Sequence, residues 1–236
     1  SAMEVTIVAT AAAPAAVAGV TIFGTGSTPS ASGTDGTDPN FIAFTRQYDR
    51  EPVMRIGLDY FDFETEERHE HKVRSEEPFR IVTDDGREVA TIPAHEVVAI
   101  TYHPDTGTAR IRRGMDATSV RAAALRLLGM GADPVIEIVS NGTRIQGALP
   151  TTDSHFAGAL EVRYVPETQR FWIINELPME RYLKGLVETS DAAAPEFHKA
   201  QVIAARTYAL YYLEAGGKYP KGQFILNATA TDQVYR

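Results

Sequence analysis

The sequence predicts an α+β fold, in which a β-rich N-terminal part leads into a helical-hairpin core packed on strands. From about residue 52 to 175, β-branched runs are punctuated by short Gly-containing turns, which is typical of antiparallel strands. From Glu176 onward the apolar residues recur at helical spacing instead. We therefore expect a mainly β first part, followed by two helices and a short C-terminal strand and loop.

Three segments are expected along the chain. Residues 1–45 form a low-complexity linker or tail, because "GTGSTPSASGTDGTDPN" offers almost nothing to bury. A Gly-rich phosphate loop is the alternative, but neither a lysine nor a helical pattern follows these glycines. Residues 46–150 form the β-rich part and residues 151–236 the core. The initial "SAM" resembles a cloning remnant, so we expect a trimmed piece of a longer protein, from which a signal or anchor was removed.

The β-rich part is expected to contain hairpins and one inserted helix. "DDG", "DTG" and "SNG" mark turns between strand-like runs. "DATSVRAAALRLLG" predicts a helix, with Asp116 near its start and Gly129 just past its end. Strands then resume at "GALEVRYVPETQRFWIIN", where Trp172 could stack on a sugar ring but is expected in the core.

Two consecutive helices are predicted after these strands. "LPMERYLKGLVET" carries apolar residues at i, i+3, i+4, i+7 and i+8, and Pro178 suits a first helical turn. Pro195 opens the second helix, which Gly216 and Gly217 end. The tail "KGQFILNATATDQVYR" predicts a strand and then a loop.

Composition excludes several classes of function. The formal net charge of −8 argues against nonspecific nucleic-acid binding, which relies on a basic surface. The chain has no cysteine, so neither a disulfide framework nor a thiolate metal site is expected. No apolar run of about 18 residues is present, so no membrane span is expected. We expect no cofactor and no metal.

The second predicted helix places two cations among aliphatic residues. Lys199 and Arg206 differ by only about 20° around the helix axis. The helix is apolar or aromatic nearly all round, which predicts burial. A buried cation needs a partner. Either Lys199 reaches solvent and Arg206 forms a structural ion pair, or both face a cleft, where they orient a carboxylate or hold a polar substrate.

Glu188 is the candidate carboxylate, because it ends the first helix and the connecting loop could bring it over the second. The negative pole of the helix and partial burial disfavour its charge, whereas the two cations favour it. A carboxyl group balanced in this way could hold a proton near neutral pH, as a general acid must. The alternative is a solvated glutamate at a helix end.

Several motifs, taken in order, resemble the SpoIID/LytB domain family, which includes sporulation stage II protein D and amidase enhancers. They are "NELPMERYLKGLVE", "PEFHKAQVIAARTYALY" and "TDQVYR". The resemblance covers 175–236 and extends weakly to "FAGALEVRY" and "MRIGLDYF". It implies a lytic transglycosylase that cleaves peptidoglycan between N-acetylmuramic acid and N-acetylglucosamine in strands stripped of stem peptides.

The resemblance also implies the site residues. Glu188 is the catalytic acid, and the residues expected to bind substrate or orient Glu188 are Lys199, Gln201, Arg206, Tyr208, Asp232, Gln233 and Tyr235. Transglycosylation needs one carboxyl group, unlike hydrolysis by paired carboxylates. The family usually has a longer approach to its glutamate and continues past the position of Arg236, so we expect a core truncated at its C-terminus.

Two further readings remain open. The domain could be a noncatalytic cell-wall binder that stimulates a separate amidase, or a degenerate structural module. In each case the resemblance implies a bacterial, extracytoplasmic protein, secreted or attached to the cell surface. Its expected partners are peptidoglycan strands and, for the enhancer, a cell-wall amidase.

Overall fold

The computed structural model describes residues 50–64, 69–139, 154–189 and 192–236, together with the backbone of two short strands at 7–10 and 41–44. It divides into two compact units, Ser1–Arg50 and Glu51–Arg236. In the first unit, β1 (Ile7–Thr10) pairs antiparallel with β2 (Phe41–Phe44). The "SNG" turn at 140–142 lies outside the described residues.

The second unit contains two sheets and two helices. Its strands are β3 Val53–Asp62, β4 Glu70–Arg74, β5 Phe79–Thr83, β6 Glu88–Ile92, β7 Val98–His103, β8 Thr108–Arg113, β9 Asp116–Arg121, β10 Ala124–Gly129, β11 Val135–Ile138, β12 His155–Ala157, β13 Ala159–Val165, β14 Arg170–Pro178 and β15 Leu226–Asn227. The helices are α1 (Met179–Lys184) and α2 (Pro195–Glu214), and single 3-10 turns occupy Pro166–Thr168 and Pro220–Gly222. The chain is an α+β protein dominated by strands, as predicted.

The two sheets are built mostly from antiparallel neighbours. The seven-stranded sheet has the order β15-β3-β14-β13-β10-β5-β6, and only the β15–β3 pair is parallel. The six-stranded sheet has the order β12-β11-β4-β7-β8-β9. Strands from both sides of residue 150 pair in the larger sheet, where β10 lies beside β13. The β-rich part and the core therefore share one sheet.

One apolar core joins both sheets to the helices. Ile100 and Ile111 of the smaller sheet, Leu58 and Ile173 of the larger sheet, and Tyr182 of α1 all belong to it and are fully or almost fully buried. Trp172 lies in a second cluster with Ile174 and Phe224, because alternate residues of β14 point to opposite faces. The core position expected for Trp172 is confirmed, and this ring is only 6% exposed.

The helix predicted over 116–129 is wrong, because β9 and β10 occupy this segment. β9 pairs with β8, and β10 is held between β5 and β13. Leu125 and Leu127 are fully buried there. Pairing and burial on both sides outweigh the helix propensity of an alanine-rich run.

Candidate functional site

Glu188 lies in a bend beyond the end of α1, and its carboxylate is held by two donors that are distant in sequence. The backbone N–H of Val234 donates to Oε1 across 3.2 Å, and Nε2 of Gln201 donates to Oε2 across 3.4 Å. Each carboxylate oxygen therefore has one donor, while the side chain stays exposed. Of the predicted orienting residues, Gln201 is the one that contacts the carboxylate directly.

The bend exists because α1 ends early, at Lys184, rather than at about residue 189 as predicted. A Cβ on Gly185 would lie 2.5 Å from the Tyr235 ring and 2.8 Å from the carbonyl oxygen of Arg236. This close approach lets the last five residues, 232–236, pair with the chain after α1. These residues are called the C-terminal segment below. Leu186 forms an antiparallel bridge with Tyr235, and Glu188 consequently lies beyond the helix.

Two backbone–backbone hydrogen bonds and one backbone-to-side-chain bond hold 185–188 against the C-terminal segment. Val187 N–H donates to Val234 O across 2.9 Å, and Arg236 N–H donates to Gly185 O across 2.9 Å. The third is the donation from Val234 N–H to the Glu188 side chain, which extends the same pairing by one residue. The glutamate is thus positioned by a segment 46 residues further along the chain.

Gln233 and Tyr235 flank Val234, and both are buried, with exposures of 4% and 3%. Tyr182 Oη donates to Gln233 Oε1 across 2.7 Å, and Gln233 Nε2 donates to Ala205 O across 3.4 Å. These bonds connect the C-terminal segment to α1 and α2. Burial raises the pKa of Tyr182, so its hydroxyl remains a donor at neutral pH. Both predicted residues position Val234 from inside the core.

Tyr235 is anchored to the larger sheet through Asn175. Its hydroxyl donates to Asn175 Oδ1 across 2.7 Å, and Asn175 Nδ2 donates to the carbonyl oxygens of Ala157 and Ala159. Asn175 is fully buried, and its polar atoms are all bonded. Burial raises the pKa of Tyr235. The Asn of the "NELP" motif is therefore a support for the C-terminal segment.

Asp232 belongs to a polar cluster behind the same segment. Its side chain is fully covered, forms an ion pair with Lys218, and accepts the Asn227 N–H across 2.7 Å. Tyr208 Oη donates to Asp232 Oδ1 across 3.4 Å, and burial raises the pKa of Tyr208 to about 12. Burial opposes the charge of Lys218, but bonds to Asp232 and Tyr208 outweigh this and raise its pKa. The cluster fixes the start of the C-terminal segment to α2.

The expected burial of α2 is wrong. Only Ala205 and Ala209 of this helix are buried, whereas Phe197, Val202 and Ile203 are exposed. The two alanines lie in the core, and Leu210 and Leu213 pack against it while partly exposed, so the outward-facing apolar residues are confined to the first half of the helix. The helix is therefore not the enclosed floor of a cleft in this structure.

Lys199 and Arg206 bind carboxylates other than Glu188, so the prediction that both orient Glu188 is wrong for this structure. Lys199 Nζ lies 3.2 Å from Oε1 of Glu196, one helical turn away, and both side chains are largely exposed. Arg206 Nη2 donates to both oxygens of Glu180 on α1, across 2.7 and 2.6 Å. Arg206 thus joins the two helices, which is the structural ion pair considered above.

Two residues beside Glu188 were missed by sequence reasoning. Thr189 Oγ1 and His198 Nδ1 lie 3.1 Å apart, and this hydrogen bond ties the bend to the first turns of α2. His198 and Thr189 are nine residues apart, and no sequence signal connected them. Within the described ranges, no group of three or more His, Asp or Glu side chains is arranged to hold a metal.

The segment that carries these contacts is similar to a known protein family. The family model described as "Stage II sporulation protein" matches residues 167–236. This segment is similar to the SpoIID family. The match confirms the resemblance predicted from the sequence, and the SpoIID segment contains Glu188, Gln201 and Val234.

The other comparisons are narrower. An uncharacterized protein of Brachyspira hyodysenteriae is 39% identical over 75 residues, which is 30% of this chain. The chain spans only 20% of the length of that relative. No solved structure matches the chain. In the part of the chain that the structure describes, no helix has the length and apolarity to cross a membrane.

Proposed function

We propose that this protein is a lytic transglycosylase-like domain acting on peptidoglycan, with Glu188 as its acid and base. The SpoIID match supports a domain related to sporulation and the cell wall. The observation that carries the finer proposal is the fixed carboxylate of Glu188. Val234 and Gln201 each hold one oxygen, yet the side chain remains accessible to a ligand.

The proposed reaction needs only this carboxyl group. Protonated Glu188 gives its proton to the glycosidic oxygen between N-acetylmuramic acid and N-acetylglucosamine, and the bond from that oxygen to C1 breaks. The carboxylate then accepts the proton of the 6-hydroxyl as that oxygen bonds to C1. The product is a 1,6-anhydro sugar, and no water is consumed. A glycan strand lying over Glu188 would displace water from around the carboxyl group and bring it to the glycosidic oxygen.

Lys199 and Arg206 have different parts in this proposal. The exposed pair of Lys199 with Glu196 is weak, of the kind that contributes roughly 0–1 kcal/mol. Lys199 is therefore free to leave Glu196 and bind sugar or acetamido oxygens. Arg206 keeps α1 and α2 together through Glu180 and supports the site from the side.

A noncatalytic role is the second candidate, and one observation favours it. Glu188 is exposed, and neither nearby cation binds it in the described structure. A domain that binds cell wall and stimulates a separate amidase needs no acid in a closed site. In both cases we propose an extracytoplasmic protein with peptidoglycan strands as its partner, and in the second case also an amidase.

Product analysis separates the two candidates. Purified glycan strands without stem peptides are incubated with the protein, and the fragments are examined by mass spectrometry. Fragments ending in 1,6-anhydro-muramic acid support the transglycosylase. Absence of fragments, combined with faster release of stem peptides when an amidase and intact peptidoglycan are added, supports the enhancer. Fragments with ordinary reducing ends would contradict the proposed single-carboxylate chemistry.

A further inference from the structure

A cleft of about 860 Å³ opens among residues of both sheets, and it shares none of the residues that hold Glu188. One side comes from β7 and β8 of the smaller sheet. The other side comes from Phe63, Tyr164 and Gln169, which belong to the larger sheet and its connections. The volume lies within the range of small-molecule sites, which is roughly 300–1,000 Å³.

Aromatic rings form the base of this cleft. Tyr102 and Tyr164 are stacked with their ring centres 4.6 Å apart, and the edge of Phe63 meets Tyr164 at 5.4 Å. Tyr102 is only 8% exposed, yet among the described residues neither tyrosine hydroxyl has a protein hydrogen-bond partner. Neither hydroxyl oxygen is among the buried polar atoms that lack a partner, so both can be reached from the cleft. The two hydroxyls are therefore available to a ligand in the cleft.

Polar side chains with different hydrogen-bonding capacities line the rest. Asp105 accepts hydrogen bonds, Arg110 donates them, and the Gln169 amide does both. Asp105 and Arg110 are exposed, and no ion pair of Arg110 occurs in the described structure. A second arginine of the lining, Arg112, is already paired with Glu70.

The charges and the hydrogen-bonding groups that line the cleft indicate which class of ligand it binds. Two arginines are matched by two carboxylates, so the cleft has no cationic excess to select an anion. Every hydroxyl of a sugar can both donate and accept, which fits acceptors, donors and amides around an aromatic base. We propose that this cleft is a second saccharide site, which binds an N-acetylated oligosaccharide through its uncharged hydroxyl and acetamido groups. That the natural ligand is a peptidoglycan strand rests on the function proposed above.

Titration of the full chain with chitotetraose tests the proposal, with nuclear magnetic resonance of the 15N-labelled protein as the readout. A Glu188→Gln background prevents cleavage. The expected result is a saturable shift of the amide signals of Thr101, Tyr102 and Arg110. Arg110→Ala should weaken the binding monitored at Tyr102 about tenfold, since it removes a charged hydrogen-bond donor. Arg80→Ala, which changes an exposed arginine outside the cleft, should not weaken it.

Shifts confined to the bend around Glu188, or equal affinities of the Arg110→Ala and Arg80→Ala variants, would overturn the second site. Stronger binding of an anionic polymer such as polyglutamate at the same amides would overturn the neutral ligand. The wild-type chain separates this inference from the proposed function. Cleft shifts without any glycan cleavage retain the site and refute the transglycosylase, whereas cleavage without cleft shifts does the reverse.

Discussion

The backbone N–H of Val234 donates to the side chain of Glu188, so a glutamate in a loop is positioned by the last residues of the described chain. Val234 itself is fixed on both sides, because Gln233 and Tyr235 are buried and bonded to Tyr182 and Asn175. The geometry of Glu188 therefore depends on the core of the domain. Residues that shape this contact should affect both stability and activity.

Gly185→Ala should destabilise the protein, because the new methyl group would meet the buried Tyr235 ring and a backbone carbonyl. The φ of Gly185 is −89°, which any residue can adopt, so crowding and not backbone strain is tested. Overpacking of this kind costs about 1–3 kcal/mol of unfolding free energy. Urea unfolding measures it, with exposed Lys184→Ala as the matched control. Equal stabilities of the two variants would show that the segments do not approach so closely.

Gln201→Ala should lower glycan cleavage about tenfold, since it removes one of the two donors that orient Glu188. The unfolding free energy should change by only about 0.5 kcal/mol, because Gln201 is partly exposed and its amide bonds an exposed side chain. Initial rates of anhydro-sugar formation are compared with those of Glu76→Ala, which changes an exposed residue outside the site. If Gln201→Ala retains the full rate, the hydrogen bond does not matter for the reaction.

Arg206 and Glu180 should show coupling in a double-mutant cycle. The bidentate pair joins α2 to α1, and both side chains are partly exposed, so about 0.5–1 kcal/mol of coupling is expected. The coupling energy is obtained from the unfolding free energies of the wild type, Arg206→Ala, Glu180→Gln and the double variant. A coupling near zero, with activity lost in Arg206→Ala alone, would instead place Arg206 on the substrate.

Acid should weaken the fold through His71, which is fully buried. Burial lowers the pKa of His71 to about 4, although the hydrogen bond with Phe171 O opposes the shift. In the unfolded chain a histidine binds its proton near pH 6.5. Between these values the unfolded state binds more protons, so stability is complete above about pH 6.5 and falls as the pH drops towards 4.

The expected loss from His71 is about 3 kcal/mol across this window. Urea unfolding at pH 7, 5.5 and 4.5 measures the slope. His71→Gln keeps a donor without the titration and should flatten the slope, whereas exposed His103→Gln should leave it unchanged. A slope that is the same in all three proteins would refute the role of His71.

Local patterns in the sequence predicted part of this arrangement. Pro195 and Gly216 bracket α2 almost as expected, because caps and periodicity act within the helix itself. The end of α1 could not be predicted, since it is set by contacts of Gly185 with Tyr235 and Arg236, about 50 residues away. The second half of the segment 116–129 was misassigned for the same reason, because β10 pairs with β5 and β13, which are distant from it in the sequence.

The site, like the fold, has features that the sequence predicted and features that only distant contacts determine. The family motif singled out Glu188 and Gln201, and the structure brings them together. The motif did not reveal that Lys199 pairs with Glu196 and that Arg206 pairs with Glu180. The choice among neighbouring carboxylates depends on side-chain geometry, which the motif does not specify. A backbone donor such as Val234 carries no signature in its side chain, and only the folded chain identifies it.

Glu188→Gln provides the most direct test of the central claim. The amide keeps the size of the side chain but can neither donate the acid proton nor accept the proton of the 6-hydroxyl. We predict that formation of 1,6-anhydro ends from stripped glycan strands falls at least about 100-fold, as expected for loss of a general acid and base. Glu76→Gln, which changes an exposed glutamate outside the site, should keep the wild-type rate. A Glu188→Gln protein that still produces anhydro ends at the wild-type rate would contradict the assignment.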